Sequence, residues 1–389
     1  MSLLKAWITL LKVCWALPAK MSALDQTATD ETRPGVQVLG ALMLRAEAVL
    51  IPVGALLAGM VAFSLFLLAV GKSPVEFYGL VWKAGFSTAF SWQNTLSRVA
   101  PLVLAALCVA LPARLGLVVI GGEGAIVLGG LAAAVMGTAV LGAPTAIGMV
   151  LMALAGMMMG GLWIGMVGAL RIKRGVNETI ASLLLAYIAI ALMNHLVEGP
   201  FRDPASLNKP STSPLTEGLR VQDMPFIAAH WGVLAGVVAC IFCWVLIERT
   251  TLGFAARIAG DNIRAAQVQG LPVNRLVIGF TALGGAFAGL AGYFEVAAVH
   301  GSANASLIAG YGYTGILVAF LARHNPLAIL PVAVLFGGFE ASSGLVQRRM
   351  DLPDATILVF EGMVFVIILL SEALYGRLRL FSPEFWDKR

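Results

Sequence analysis

The stretch that decides the fold is Ala125–Leu170, which reads AIVLGGLAAAVMGTAVLGAPTAIGMVLMALAGMMMGGLWIGMVGAL. Its 46 residues contain no charged side chain, and the turn-forming sequence Gly142-Ala143-Pro144 is its one interruption. A helix that crosses a bilayer needs about 20 consecutive apolar residues. The stretch therefore predicts two membrane-spanning helices joined by a tight turn, and it places the chain among multi-pass membrane proteins.

The composition agrees with this class. The 389 residues are 59% hydrophobic and 12% charged, as is typical of a protein whose surface mostly faces lipid. The net charge of +5 fits an excess of Lys and Arg in cytoplasmic loops, so no nucleic-acid partner is expected. The four cysteines, Cys14, Cys108, Cys240 and Cys243, lie in apolar surroundings and are expected to be buried packing residues without a metal or redox role.

Ten apolar runs separated by charged residues predict ten spans. They lie near Ala48–Val70, Ala100–Ile120, Ala125–Leu141, Ala146–Leu170, Ile180–Val197, Phe226–Ile247, Leu276–Ala298, Leu307–Leu321, Leu327–Leu345 and Ala355–Leu374. With a cytoplasmic N-terminus, the inside segments hold 18 of the 26 Lys and Arg residues, which predicts that both termini are cytoplasmic. The predicted fold is an all-α multi-pass membrane protein of about ten transmembrane helices, in which spans two to five and seven to ten form two inverted halves.

Two terminal segments flank a predicted transmembrane domain at residues 46–376. Leu3–Leu17 is apolar but carries Lys5 and Lys12 one heptad apart, which suits an interfacial helix better than a span. The alternative, a signal peptide, has Lys12 inside its apolar core. Asp25–Gly35 reads as a flexible linker, so residues 1–45 are predicted to form a cytoplasmic N-terminal segment and residues 377–389 a cytoplasmic tail.

The most informative loop is Leu252–Arg275, LGFAARIAGDNIRAAQVQGLPVNR. A short helix is predicted over Ile263–Gln269, with Asp261 or Asn262 as its N-cap and Gly270 at its end. Such a helix has few apolar residues of its own to bury, so it needs a partner surface. On pattern alone, an ordinary loop helix remains the alternative.

This segment resembles the coupling loop of ABC importer permeases. Ala265-Ala266 followed by Gly270 is similar to the Ala-Ala-x-x-x-Gly core of that loop, with Arg264 where many members carry Glu. Gly253, Arg257, Gly260 and Asn262 are also similar to one branch of these permeases. That branch comprises the ribose, branched-chain amino acid and nucleoside permeases with ten-helix subunits. The resemblance implies that a coupling loop at residues 248–275 docks on a separate ATPase, with contacts from Arg257, Asp261, Asn262, Arg264, Ala265, Ala266 and Gly270.

Two further motifs resemble the same family. Ile120–Gly124, IGGEG, is similar to its Asn-Ile-Gly-x-Glu-Gly-Gln signature, although Val119 and Ala125 replace the two amides. Gly175–Ile180, GVNETI, is similar to the start of the fifth span in permeases for purine nucleosides and related sugar-containing solutes. The resemblance covers roughly residues 48–375 and implies a nucleoside or simple sugar as the solute.

Polar groups in or beside the spans are candidates for the solute path, because an exposed charge in lipid costs a few kcal/mol. Glu123 lies among glycines, and a second Gly-rich interruption, Gly310–Gly315, precedes the corresponding eighth span. Paired interruptions in inverted halves indicate a transport path, although close packing at glycine explains them nearly as well. Glu340 is expected to pair between helices. The predicted path residues are Glu123, Asn177, Asn194 and Glu295.

Two short patterns resemble nucleotide-binding motifs, but neither meets the requirements of its motif. Gly71-Lys72-Ser73 lacks the first Gly of a phosphate loop, and the GxGxxG match at Gly310–Gly315 has no surrounding βαβ unit. The chain is therefore predicted to be a transport subunit and not an enzyme, with ATP hydrolysis by a partner chain and no metal or cofactor of its own.

The resemblance implies the permease subunit of a bacterial ABC importer in the cytoplasmic membrane. Its implied partners are an ABC ATPase, a second permease subunit that is identical or paralogous, membrane lipid, and an extracytoplasmic solute-binding protein that meets the loop Glu198–Pro225. The alternative is an ion-coupled secondary transporter that uses Glu123 or Glu295 as a proton site. That alternative explains buried carboxylates and inverted halves, but not the capped cytoplasmic segment.

Overall fold

The computed structural model describes the backbone of residues 34–372 and the side chains from residue 50 onward. The residues left out of this range are 141, 143, 207–208, 225–228 and 354. The predicted interfacial helix at Leu3–Leu17 and the tail at 377–389 lie outside the described residues. Within them the fold is helical, and β-type pairing is limited to two isolated bridges.

The described residues form thirteen α-helices. In chain order they are α1 (Pro34–Ala69), α2 (Pro74–Phe86), α3 (Ala89–Ala113), α4 (Gly122–Ala139), α5 (Thr145–Arg174), α6 (Glu178–Glu198), α7 (Gly232–Arg249), α8 (Thr251–Asp261), α9 (Ile263–Val268), α10 (Val273–Phe294), α11 (Tyr311–Leu321), α12 (Pro326–Met350) and α13 (Thr356–Glu372). A π-helical turn, Glu295–His300, continues α10.

Eight of these helices are long and apolar enough to cross a membrane, which confirms the all-helical multi-pass class. Two shorter apolar segments, Ala305–Leu321 and Thr356–Ser371, overlap the predicted eighth and tenth spans. The count of ten spans and the cytoplasmic termini stay predictions. The predicted second span, Ala100–Ile120, differs most from the helix in the structure, which is α3 at Ala89–Ala113. The helix begins earlier because the hydroxyl of Thr88 caps it by accepting from the Ser91 amide.

The chain divides into two compact units. Among the described residues, the first comprises residues 34–80 and 343–372. In its described part α1 packs against α13, and the ring of Phe63 lies 5.0 Å from Phe77 and 5.1 Å from Phe360 between ring centroids. The second unit, Val81–Ser342, contains α3 to α11 and all the residues discussed below as candidate sites.

Within the second unit, α5 crosses α10 and α4 through glycine. A Cβ placed on Gly156 would lie 2.9 Å from the carbonyl oxygen of Gly289, so the two backbones are in direct contact. Close packing at glycine is thus real at this crossing. Cys108, Cys240 and Cys243 are buried as predicted, and Cys14 lies outside the described residues.

Two groups of loops lie at opposite ends of α7. Residues 199–231 are tied to residues 295–310 by backbone hydrogen bonds, such as the Leu215 amide to the Gly301 carbonyl at 2.8 Å. We call these residues the loop end. The other end of α7 leads into α8 and α9, and we call these two helices the coupling segment. The side of the second unit on which they lie is called the coupling end.

Candidate solute path and coupling surface

Glu123 lies where α4 and α11 begin. Its side chain is fully buried, and its carboxylate accepts the backbone N–H of Gly310 at 2.8 Å and that of Gly312 at 2.6 Å. The first turn of a helix has N–H groups without intrahelical partners and a partial positive charge. The carboxylate therefore stabilises the start of α11, and both of its oxygens are already engaged.

Glycine makes this approach possible. A Cβ on Gly312 would lie 2.5 Å from the Cα of Glu123, and one on Gly124 would lie 2.8 Å from the Cα of Ala186 in α6. Any side chain at either position would force the backbones apart. The two Gly-rich interruptions that the sequence pairs are thus in contact.

From this contact α4 and α11 run in opposite directions. The far end of α4 reaches the loop end, where Gly137 packs against Leu215. The far end of α11 leads to a turn at which the His324 carbonyl accepts a hydrogen bond from Arg114, beside the coupling segment. Helix N-termini that meet inside a bundle, one of them from a helix too short to span the membrane, are an arrangement that transporters use at solute and ion sites.

Glu295 lies next to this junction at the end of α10. It is buried, and its Oε2 lies 3.4 Å from Nε2 of His300 across the π-helical turn. Glu123 and Tyr311 are close enough to Glu295 to interact with it electrostatically. π-helical turns are frequent at functional sites. Of the four predicted path residues, the structure thus brings Glu123 and Glu295 together.

A second ion pair borders the start of α11. Arg98 of α3 lies 3.9 Å from Glu340 of α12, so the expectation that Glu340 pairs between helices is confirmed. Both residues are charged neighbours of Tyr311. The buried N-terminal end of α11 is therefore surrounded by charged groups from α3, α4, α10 and α12.

The two predicted asparagines are not brought together. Asn177 is exposed, and its Oδ1 accepts from the amides of Thr179 at 2.9 Å and Ile180 at 3.2 Å, so its amide oxygen is an N-cap of α6. Asn194 is partly buried and lies 17 residues further along the same helix, a distance of about 26 Å. Both cannot contact one small solute at the same time.

At the coupling end, α8 packs with one face and exposes the other. Its buried face is made of small residues that allow close approach, namely Gly253, Ala255, Ala256 and Ala259. Arg257 donates to Glu248 of α7 at 2.9 Å, which joins α8 to the preceding helix. The predicted contact residue Arg257 is thus held within the chain by an ion pair.

The short helix predicted after α8 is confirmed as α9. Its N-cap is Asn262, whose Oδ1 accepts from the amides of Arg264 at 3.0 Å and Ala265 at 3.1 Å, whereas Asp261 ends α8. Gly270 closes the segment with φ of +78°, a backbone conformation that favours glycine. Among the predicted contact residues from Asp261 to Gly270, only Ala266 is buried.

The coupling segment also exposes large apolar side chains. Val268 is 89% exposed, and Leu252, Phe254 and Ile263 are about half exposed or more. We call these four residues the apolar coupling patch. Single exposed apolar residues are common on any protein, but four of them within residues 252–268, between two spans, indicate surface that is open to a partner or to lipid.

Sequence reasoning missed α8 and His300. The signal for α8 was present, because Thr250 has an N-cap side chain and its hydroxyl accepts from the Gly253 amide at 3.2 Å. The signal for His300 was its spacing of five residues from Glu295, which brings the two together only in a π-helical turn.

Comparison with known proteins gives the family of this chain. Residues 91–369 match the family described as branched-chain amino acid transport system / permease component. This match covers well over half of the chain and includes both the junction at Glu123 and the coupling segment.

Curated relatives are similar in sequence to this chain over most of their length. The chain is 32% identical over 331 residues to the glucose ABC transporter permease protein TsgB13 of Haloferax volcanii, covering 82% of this chain and 87% of the relative. It is 30% identical over 349 residues to the guanosine ABC transporter permease protein NupP of Bacillus subtilis, covering 84% and 96%. It is 24% identical over 336 residues to the nucleoside ABC transporter permease protein NupB of Lactococcus lactis, covering 82% and 92%. The chain therefore belongs to the family of branched-chain amino acid transport system permease components, as an ABC transporter permease of the nucleoside and sugar group.

Proposed function

We propose that this chain translocates a nucleoside, or a related simple sugar, across the bacterial cytoplasmic membrane and is driven by a separate ATPase subunit that docks on the coupling segment. The observation that carries the proposal is the apolar coupling patch. It lies on a helix pair that is capped at both starts by its own side chains, so its shape is formed before a partner arrives.

The docking surface has the features of a protein interface. Exposed Val268 and Phe254 supply apolar area, and exposed Arg264 and Asp261 supply charge around it. An interface commonly has an apolar centre and a polar rim. In this proposal the coupling end is cytoplasmic, as the distribution of Lys and Arg predicts.

The solute path of the proposal passes the junction between α4 and α11. Buried Glu295 and partly buried His300 offer polar groups that suit sugar hydroxyls or a purine edge, and Tyr311 and Tyr313 supply aromatic surface nearby. A second permease subunit completes the path. A solute-binding protein delivers the solute to the loop end, and selectivity is shared with that protein.

In the proposed mechanism Glu123 stays an ionised carboxylate, whereas proton coupling through this residue requires it to bind and release a proton. A proton-coupled carrier would have to protonate a carboxylate while it accepts two backbone N–H groups. Protonation would remove an acceptor from the start of α11 and leave an N–H unpaired in a buried site. The geometry therefore supports a constant structural role for this carboxylate better than a proton-carrying one.

The experiment that tests the proposal is ATP hydrolysis in reconstituted vesicles that contain this permease with an ABC ATPase and a solute-binding protein from the same organism. A panel of purine nucleosides, pyrimidine nucleosides, pentoses and hexoses is added to the binding-protein side. We expect stimulation by nucleosides. Stimulation by sugars alone would replace the substrate assignment, and gradient-driven uptake without any ATPase response would refute the ATP-driven mechanism.

A matched pair of variants tests the docking surface in the same vesicles. Val268→Asp places a charge on the most exposed residue of the patch and should weaken ATPase binding by about tenfold or more. The control is Val75→Asp on α2, where the valine is 82% exposed. Both should change the free energy of unfolding by no more than about 0.5 kcal/mol. Equal ATPase binding by the two variants, measured by co-purification, would contradict docking at the patch.

A further inference from the structure

The short helix α11 is held at both of its ends by charged side chains from other helices. Glu123 holds its N-terminal end through the amides of Gly310 and Gly312. Arg114 holds the turn after its C-terminal end, where Nη2 donates to the carbonyl oxygen of His324 at 3.1 Å. At 11 residues, α11 is about 16 Å long and stiff. A displacement at one end is therefore passed to the other.

The turn held by Arg114 has an unusual backbone. Arg323 and His324 follow one another with φ of 51° and 56°, in the left-handed region that side chains other than glycine seldom occupy. Such conformations persist where the surroundings enforce them, and they occur often at switch regions. The hydrogen bond from Arg114 to this turn is one of the contacts that enforce it.

Arg114 also contacts the coupling segment. Its carbonyl oxygen lies against Gly260 of α8, where an added Cβ would overlap it. Its guanidinium lies within electrostatic reach of Glu248 and Arg257, the ion pair that joins α7 to α8. One residue thus touches α8 with its backbone and the α11–α12 turn with its side chain.

The guanidinium is not fully satisfied in this position. Nε of Arg114 is buried and has no hydrogen-bond partner among the described residues. A buried donor without a partner is costly, so packing alone does not explain an arginine at this position. A role that needs the charge and the reach of the side chain explains it better.

We propose that α11 carries movement of the coupling segment to the Glu123 junction, and that Arg114 is the positioning residue that joins α8 to α11. This inference rests on the proposed function. In it, ATPase-driven displacement of α8 shifts Arg114, the turn at His324 follows, and α11 moves the amides of Gly310 and Gly312 against Glu123. The junction in the solute path thereby responds to the state of the ATPase.

The first test needs the permease alone, so it does not depend on the proposed function. Arg114→Gln should release the far end of α11, and amide hydrogen exchange over residues 308–314 should become about threefold faster or more. The control, Lys173→Gln, removes an exposed positive charge at the end of α5 and should leave that exchange unchanged. Unchanged exchange over 308–314 in Arg114→Gln would overturn the inference.

The second test uses the reconstituted transporter. In Arg114→Gln, ATPase co-purification should stay within about twofold of wild type while the solute taken up per ATP hydrolysed falls about tenfold. Arg114→Lys, which keeps the charge, should recover part of that ratio. If binding, hydrolysis and uptake fall together with the thermal midpoint, Arg114 is merely structural and the inference fails. If wild type itself binds no ATPase, the proposed function fails, and the exchange test alone decides the role of α11.

Discussion

Two regions of the protein are rich in small and apolar residues: the crossing of α5 with α10, and the coupling segment. The first is buried and the second exposes large apolar side chains. At the crossing, Gly156 and Gly289 place two backbones in contact with no room for a side chain. In the coupling segment, Val268 is 89% exposed. The first region is complete within the chain, and the second is the region to which we assign a partner.

The difference separates a region that is closed by contacts within the chain from a region whose apolar side chains stay exposed, where we propose that the ATPase binds. A stripe of glycines lets helices pack by direct backbone contact, which tolerates no added volume. The capped helices α8 and α9 are fixed in shape by Thr250 and Asn262 but leave their apolar side chains uncovered. Changes in the first region should therefore affect folding, and changes in the second should affect partner binding.

The largest effect is expected at the crossing. Gly289→Val would drive a side chain into the carbonyl group of Gly156, and should destabilise the protein by at least about 3 kcal/mol, because a backbone contact cannot relax as a side chain can. The control, Gly279→Val, lies in the same helix, where an added Cβ meets nothing within 4 Å. The measurement is the thermal midpoint and monodispersity in detergent. If both variants are equally stable, the crossing is not a rigid contact.

A smaller effect is expected at the junction between α4 and α11. Glu123→Ala leaves the buried N–H of Gly312 and the partly buried N–H of Gly310 without an acceptor and should cost about 2–4 kcal/mol. Glu123→Gln keeps one acceptor oxygen and should cost about half as much. The exposed Glu76→Ala on α2 is the control for loss of a carboxylate. Equal thermal midpoints for Glu123→Ala and Glu76→Ala would show that the carboxylate does not stabilise α11.

The sequence predicted what depends on local pattern. Asn262, followed by a short run and Gly270, was sufficient to place α9 within one residue of its observed end, because caps act over three or four residues. Uncharged runs were sufficient for the class of fold, because hydrocarbon excludes charge over a fixed thickness.

What the sequence did not predict depends on contacts between distant parts of the chain. It paired the interruptions at Glu123 and Gly310, but not the hydrogen bonds that join them across 187 positions. It predicted Asn177 for the solute path, which stays a prediction, and did not predict that its amide oxygen caps α6, a role that local sequence would also favour. The tie between Arg114 and His324 spans 210 positions and leaves no periodic signal.

The smallest effect is expected at His324, whose carbonyl oxygen accepts the hydrogen bond from Arg114 at the coupling end. Burial, together with the nearby charges of Arg114 and Arg323, lowers the pKa of His324 to about 4. In the unfolded chain a histidine has a pKa of about 6.5. Between these values the unfolded chain binds a proton that the folded chain does not, so stability is full above about pH 6.5 and falls as the pH drops toward 4.

Between pH 7 and pH 5 this difference amounts to about 2 kcal/mol for wild type, and His324→Gln should lose it. The measurement is the change in thermal midpoint between the two pH values for both proteins, because other groups titrate equally in each and cancel in the comparison. A parallel change in both would mean that His324 is accessible to protons in the folded state. Its turn would then be open to water, and Arg114 would hold a flexible segment in place of a fixed end of α11.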